Sequence, residues 1–145
     1  MGRSTNSLAD KNALSLYIYY DMKVKTLNVK CNTFRRTLQV IVGWGKQYFD
    51  KAFWEFWYDY ELTTGFYFFD KENNCNIIWL ADFDICTLVH ELEHCVLSMC
   101  EQCWIEIEWE APAYMYEELF AQIWMKRWKY FKLSKDVKKY FNYIV

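Results

Sequence analysis

The hydrophobic and polar positions along this chain predict short strands in its first half and helices in its second half. Four apolar runs bounded by turn residues favour strands, at 22–29, 37–42, 66–69 and 77–80. The last two runs flank a polar stretch at 70–74, which predicts a hairpin. Residues 46–60 favour a helix, although their crowded aromatic side chains leave a strand open.

The clearest helix is predicted at residues 84–100, which contain neither Gly nor Pro. Apolar side chains recur there at three- and four-residue steps, at Leu88, Leu92, Cys95, Val96 and Met99. Asp82 or Asp84 can cap its N-terminus. A second helix is predicted from about 111 to 131, because Pro112 suits a first helical turn, and a short terminal helix follows it. Without repeats or a linker, this order of elements indicates one α+β domain.

Both histidines of the chain lie in one pentapeptide, His90-Glu91-Leu92-Glu93-His94, which is the HExxH pattern of zinc peptidases. Residues four apart share a helix face, so His90 and His94 can offer two imidazole nitrogens to one Zn²⁺ ion at roughly 2.0–2.1 Å. Glu91 is placed to deprotonate a water molecule on that metal. The alternative is an ordinary surface helix that contains the pattern by coincidence.

A catalytic zinc site usually needs a third protein ligand, and the chain has no third histidine. The ligand must therefore be a carboxylate or a thiolate. We favour Glu110, which begins the second helix, with Tyr114 one turn later on the same face. Glu117 or Glu118 as the third ligand remains open.

Residues 88–119 resemble a group of short, phage-encoded zinc metallopeptidase-like proteins. In that group an HExxH helix is followed by a second helix that opens with E-x-x-A-Y, and here residues 110–114 spell Glu-Ala-Pro-Ala-Tyr. The resemblance extends over about residues 35–125 and implies Glu110 as the third zinc ligand, in the manner of gluzincins. Glu93 departs from the group, in which an apolar or small residue is more usual, and we expect its side chain to point away from the ion.

Composition predicts a compact fold with aromatic contact surfaces. Hydrophobic residues make up 54% of the 145 residues and aromatic residues 21%, which favours a single domain over 13–145 behind a flexible polar arm at 1–12. Some of these aromatic side chains must stay exposed. They predict a homo-oligomer or a phage or host protein partner.

Cysteine usage and charge add expectations about location and partners. No convincing signal peptide precedes the six cysteines, so we expect reduced thiols in the cytoplasm, that of the host cell for a phage protein, with virion association as an alternative. No uncharged run approaches the ~18 residues of a membrane span. Residues 125–145 hold seven basic side chains and one acidic one, net +6. We favour a solvated amphipathic helix docked on the domain, and contact with nucleic acid or an acidic surface is the alternative.

The interpretation is a zinc-dependent metallopeptidase-like protein that hydrolyses a peptide or protein substrate with Glu91 as general base. Residues 77–80 are expected to be the edge strand that binds an extended substrate by strand addition. Tyr114 is expected either to stabilise the oxyanion or to pack between the two helices. The alternative is a non-enzymatic phage structural or interaction protein with a structural or vestigial metal site.

Overall fold

The structure is a computed structural model, and it describes Leu16 and residues 23–43 and 63–133. Four strands form one mixed sheet: β1 (Thr26–Cys31), β2 (Arg36–Val42), β3 (Gly65–Asp70) and β4 (Cys75–Leu80). Two helices follow, α1 (Ile85–Gln102) and α2 (Ala111–Arg127). The predicted α+β class is therefore confirmed. The predicted helix at 46–60, the arm at 1–12 and the short terminal helix lie outside the described residues.

The strand order is β1-β2-β4-β3. β1 and β2 pair antiparallel, as do β3 and β4, while β2 and β4 pair parallel in the middle of the sheet. The predicted hairpin is confirmed. The expectation that residues 77–80 form an edge strand is wrong, because β4 is hydrogen-bonded on both sides. Among the described strands, β3 is the edge on that side of the sheet.

Both helices lie on one face of the sheet. α1 packs against β3 and β4, and α2 packs against β1 and against α1. Alternate residues of the strands face the helices and form the main core, for example Val29, Leu38, Val40, Ile78 and Leu80. These side chains become buried against Leu88, Leu92, Met99, Met115, Leu119 and Ile123 of the helices. α1 therefore covers the β3 half of the sheet and α2 the β1 half.

α1 ends in a Schellman motif, in which backbone N–H groups beyond the helix close back onto its last carbonyls. The N–H of Ile105 donates to the carbonyl of Cys100 at 2.9 Å, and that of Trp104 donates to the carbonyl of Glu101 at 3.2 Å. Trp104 takes the left-handed conformation there, with φ at 57°, and its side chain is 96% exposed. Gly is the usual residue at this position. Within the described part of the chain, neither helix is long and apolar enough to cross a membrane.

Candidate metal centre

α1 holds the HExxH residues on a helix that is fixed at its start and along its inner face. The side chain of Asp84 accepts a hydrogen bond from the N–H of Cys86 at 2.9 Å and caps the N-terminus. Its other carboxylate oxygen accepts from the Thr87 hydroxyl at 3.2 Å. Leu88 and Leu92 are fully buried against the sheet. The predicted cap and apolar stripe are confirmed, and they turn the opposite face of α1 towards solvent.

The two histidine side chains converge on that outer face. The Nε2 atoms of His90 and His94 lie 3.3 Å apart, and both residues are exposed. Two nitrogens bound to one Zn²⁺ at roughly 2.0–2.1 Å, with a tetrahedral angle between them, would lie about 3.3–3.4 Å apart. The imidazoles are therefore already spaced for one ion. In the metal-free protein the same distance allows one Nε2–H to donate to the other Nε2.

The side chain of Glu91 lies between α1 and the edge strand β3, and the residue is 7% exposed. Burial raises the pKa of its carboxyl above the ordinary value, and the neighbouring His90 and His94 oppose that shift. No described residue donates a hydrogen bond to this carboxylate. A buried carboxylate whose affinity for a proton is raised, and which has no fixed donor, is suited to act as a general base.

Gly65, the first residue of β3, allows the strand to approach α1 closely. A Cβ atom built on Gly65 would lie 2.5 Å from Cγ2 of Thr87 and 2.9 Å from Cγ of Glu91. Real carbon atoms do not approach so closely, so this position excludes any side chain while β3 and α1 stay in place. Gly65 was not among the residues predicted from the sequence. A glycine at the start of an aromatic strand was the available signal of a close backbone approach.

The three motif residues open into a cleft of about 480 Å³ between α1 and β3. Its lining consists of Gly65, Phe66, Tyr67, His90, Glu91 and His94. The Tyr67 hydroxyl donates to Oδ1 of the buried Asn76 at 2.6 Å, so its ring is held as one wall of the cleft. Burial also raises the pKa of Tyr67, which keeps its hydroxyl protonated. An edge strand beside the HExxH helix was predicted, and β3 supplies it in place of residues 77–80.

Glu110 and Tyr114 lie elsewhere. Glu110 is the exposed N-cap residue of α2, and the Tyr114 hydroxyl donates to its Oε2 at 3.2 Å. Neither side chain lines the cleft, because α2 covers the β1 half of the sheet and α1 lies between. Among the described residues, no third His, Cys, Asp or Glu joins the histidine pair. The structure therefore does not bring Glu110 or Tyr114 to the histidine pair. Their roles as third ligand and oxyanion donor stay predictions.

The alternative carboxylates also lie on the β1 side. Glu118 accepts hydrogen bonds from the N–H of Asn32 at 2.8 Å and from the thiol of Cys31 at 3.5 Å. Glu117 lines a groove beside Tyr114. Glu93, the unusual residue inside the motif, is exposed and does not line the cleft.

All six cysteines are free in this structure. Cys31, Cys95 and Cys100 are buried, and burial raises the pKa of each of these thiols. Raised thiol pKa values disfavour the thiolate, which is the form that reacts and binds metal. These three side chains therefore act as small apolar groups of the core.

Comparisons with known proteins return no match: no family model, no curated protein and no solved structure is similar to this chain. The resemblance to the phage-encoded group consequently stays a prediction from the motif residues.

Proposed function

We propose that this protein is a zinc-dependent, metallopeptidase-like hydrolase whose site is the cleft between α1 and β3. The observation that carries the proposal is the 3.3 Å separation of the His90 and His94 Nε2 atoms, beside a buried Glu91 that faces the same cleft. Metal-assisted hydrolysis requires metal ligands and a carboxylate base in one open cleft, and this cleft holds two imidazole ligands and the carboxylate of Glu91. Glu110 stays the third ligand predicted from the sequence, and among the described residues no third ligand lies beside the histidine pair.

His90 and His94 fit two of the ligand positions of a zinc ion by chemistry and by spacing. Imidazole nitrogen is a preferred zinc ligand, and the two Nε2 atoms are separated by the distance that tetrahedral coordination needs. When bound, Zn²⁺ supplies Lewis acidity, which lowers the pKa of water and polarises a carbonyl group. Glu91 accepts the proton of the attacking water and returns it to the leaving amine.

The substrate is proposed to be an extended peptide. β3 borders the cleft and pairs with β4 on one side, and the peptide is proposed to add to β3 as a further strand. Strand addition at β3 would hold a peptide alongside His90 and Glu91. Gly65 keeps the strand close to the helix and so keeps the substrate backbone near the base. A cytoplasmic location, with virion association as the alternative, belongs to the same proposal.

The test combines metal analysis with two substitutions. The parent, purified without chelator, should contain close to one equivalent of zinc by elemental analysis. His94→Ala should lose metal and melt at a lower temperature, since metal binding contributes to folding free energy. Glu91→Gln should keep both, while any peptide hydrolysis falls by at least ~10²-fold. A parent that holds less than about a tenth of an equivalent would refute the metal site.

The second candidate function is a non-enzymatic interaction protein that retains the fold. It is favoured by one observation: the described residues bring no third ligand to the histidine pair. This candidate predicts that Glu91→Gln leaves every measurable property of the protein unchanged. Hydrolysis that depends on Glu91 would exclude it.

A further inference from the structure

One side of α2 is exposed and largely apolar. It faces away from the core residues Met115, Leu119 and Ile123 of the same helix. The face consists of Ala113, Tyr114, Glu117, Ala121, Trp124, Met125 and Trp128. Tyr114 is 62% exposed, Met125 76% and Trp128 52%. A contiguous apolar face of this kind usually marks a contact surface.

The residues of this face are spaced symmetrically about Ala121, a small residue at its centre. Tyr114 precedes Ala121 by seven residues and Trp128 follows it by seven, which is two helical turns in each direction. If a second copy of α2 crosses antiparallel at Ala121, Tyr114 lies beside the partner's Trp128, and Trp128 lies beside the partner's Tyr114. The small side chain of Ala121 lets the two helices approach at the crossing. A two-fold interface requires this self-complementarity.

The charges at the two ends of α2 are also complementary. Glu110, Glu117 and Glu118 lie at the N-cap and in the first half of α2, whereas Lys126, Arg127 and Lys129 lie at its C-terminal end. Antiparallel pairing places the acidic end of each copy beside the basic end of the other. Opposite charges at both ends favour this orientation, whereas parallel pairing would bring like charges together.

A groove next to the face offers space for a large side chain. It has a volume of about 680 Å³ and runs between the turn that follows β1 and the first half of α2. Phe34, Trp109 and Tyr114 give it an apolar lining, and Glu117 and Glu118 give it an acidic rim. An indole between two basic residues, such as the partner's Trp128 between Arg127 and Lys129, matches both properties.

We propose that this protein forms a two-fold dimer through the exposed face of α2, with the helices antiparallel and crossing at Ala121. The interface lies on the β1 half of the sheet, so the cleft of His90 and His94 stays open in both copies. The dimer is independent of metal binding. His94→Ala should therefore dimerise as the parent does.

Sedimentation equilibrium of the full chain tests the dimer and its location. The parent should associate reversibly, and more weakly as salt concentration rises. Ala121→Arg places two cations against each other on the axis and should raise the dimer dissociation constant at least ~100-fold. Arginine is a strong helix former, so this variant should keep the helical circular dichroism of the parent. Ala81→Arg, at an exposed alanine before α1, is the matched control and should dimerise normally.

Cross-linking tests the register. In a Cys86→Ser background, which removes an exposed thiol, Ala121→Cys should couple to its own copy with a short bismaleimide. Ala113→Cys, exposed on the same helix but eight residues from the axis, should couple at least ~10-fold less. A monomer at the highest soluble concentration overturns the proposal. So does a dimer that is indifferent to Ala121→Arg, or equal coupling at the two positions.

Discussion

Gly65→Ala should destabilise the protein and disturb Glu91, although alanine is the better residue in an ordinary strand. The new Cβ would lie 2.5 Å from Cγ2 of Thr87, where carbon atoms normally stay about 3.5–4.0 Å apart. Neither partner can retreat freely, since Gly65 pairs with Leu80 and α1 packs on the sheet. The clash must therefore be relieved by a shift of the strand or the helix, or by a rotation of Thr87 that breaks its hydrogen bond to Asp84.

The expected size of the effect is a balance of two contributions. Overpacking of this kind costs about 1–3 kcal/mol. Replacing glycine within a strand recovers roughly 0.5–1 kcal/mol of backbone entropy. The free energy of unfolding should therefore fall by about 1–2 kcal/mol, which corresponds to a melting temperature lower by about 3–8 °C for a domain of this size. Chemical denaturation and thermal unfolding followed by circular dichroism would measure it.

Thr87→Ser is the matched second substitution, because it removes Cγ2 and keeps the hydroxyl that bonds to Asp84. In the double variant with Gly65→Ala, the shortest contact disappears. The coupling free energy between the two sites should then reach at least about 0.5 kcal/mol in the favourable direction. If Gly65→Ala is as stable as the parent, or if Thr87→Ser gives no relief, the close approach of β3 to α1 is wrong.

Three further predictions concern the helix end, the thiols and the third ligand. Trp104→Gly should raise the free energy of unfolding by about 1 kcal/mol in denaturant titrations, because glycine adopts the left-handed conformation without strain; a less stable variant would contradict the motif at this end of α1. Cys86, which is exposed, should be alkylated by iodoacetamide at pH 8 before Cys31, whose pKa burial raises to about 11. Equal labelling rates for the two thiols would show that Cys31 is not buried. The unfolded Cys31 thiol ionises near pH 9.0, so the contribution of Cys31 to the free energy of unfolding should fall as pH rises from 9.0 towards 11. Glu110→Gln should weaken zinc binding in competition titrations while Glu117→Gln should not, and equal loss in both variants would mean that neither carboxylate acts as the specific ligand.

The elements of the fold that depend on local geometry were predictable from the sequence. Helix periodicity and a capping Asp84 are enough to predict α1, and the step from His90 to His94 is about one helical turn in any α-helix. The hairpin of β3 and β4 likewise follows from two apolar runs around a short polar turn. These features involve neighbours within a few residues, so the pattern of side chains alone specifies them.

The order of the strands was not predicted, because pairing between distant segments depends on which surfaces the whole chain can bury. Residues 77–80 were expected at an edge and lie in the middle. The signal that was overlooked is their continuous apolar run, Ile-Ile-Trp-Leu, which is typical of a strand covered on both faces. β4 pairs with β2 on one side and with β3 on the other, which leaves β3 to border the cleft.

The sequence by itself determined the α+β class, the HExxH helix and the shared face of His90 and His94, since each follows from local spacing. The tertiary structure alone decided that β3 forms one wall of the cleft and that Gly65 allows β3 to approach α1 closely. It also decided that α2 lies over the β1 half of the sheet, on the far side of α1 from the histidine pair. No periodicity along the chain encodes that choice, because the packing of α2 depends on the apolar side chains of β1 and α1 together.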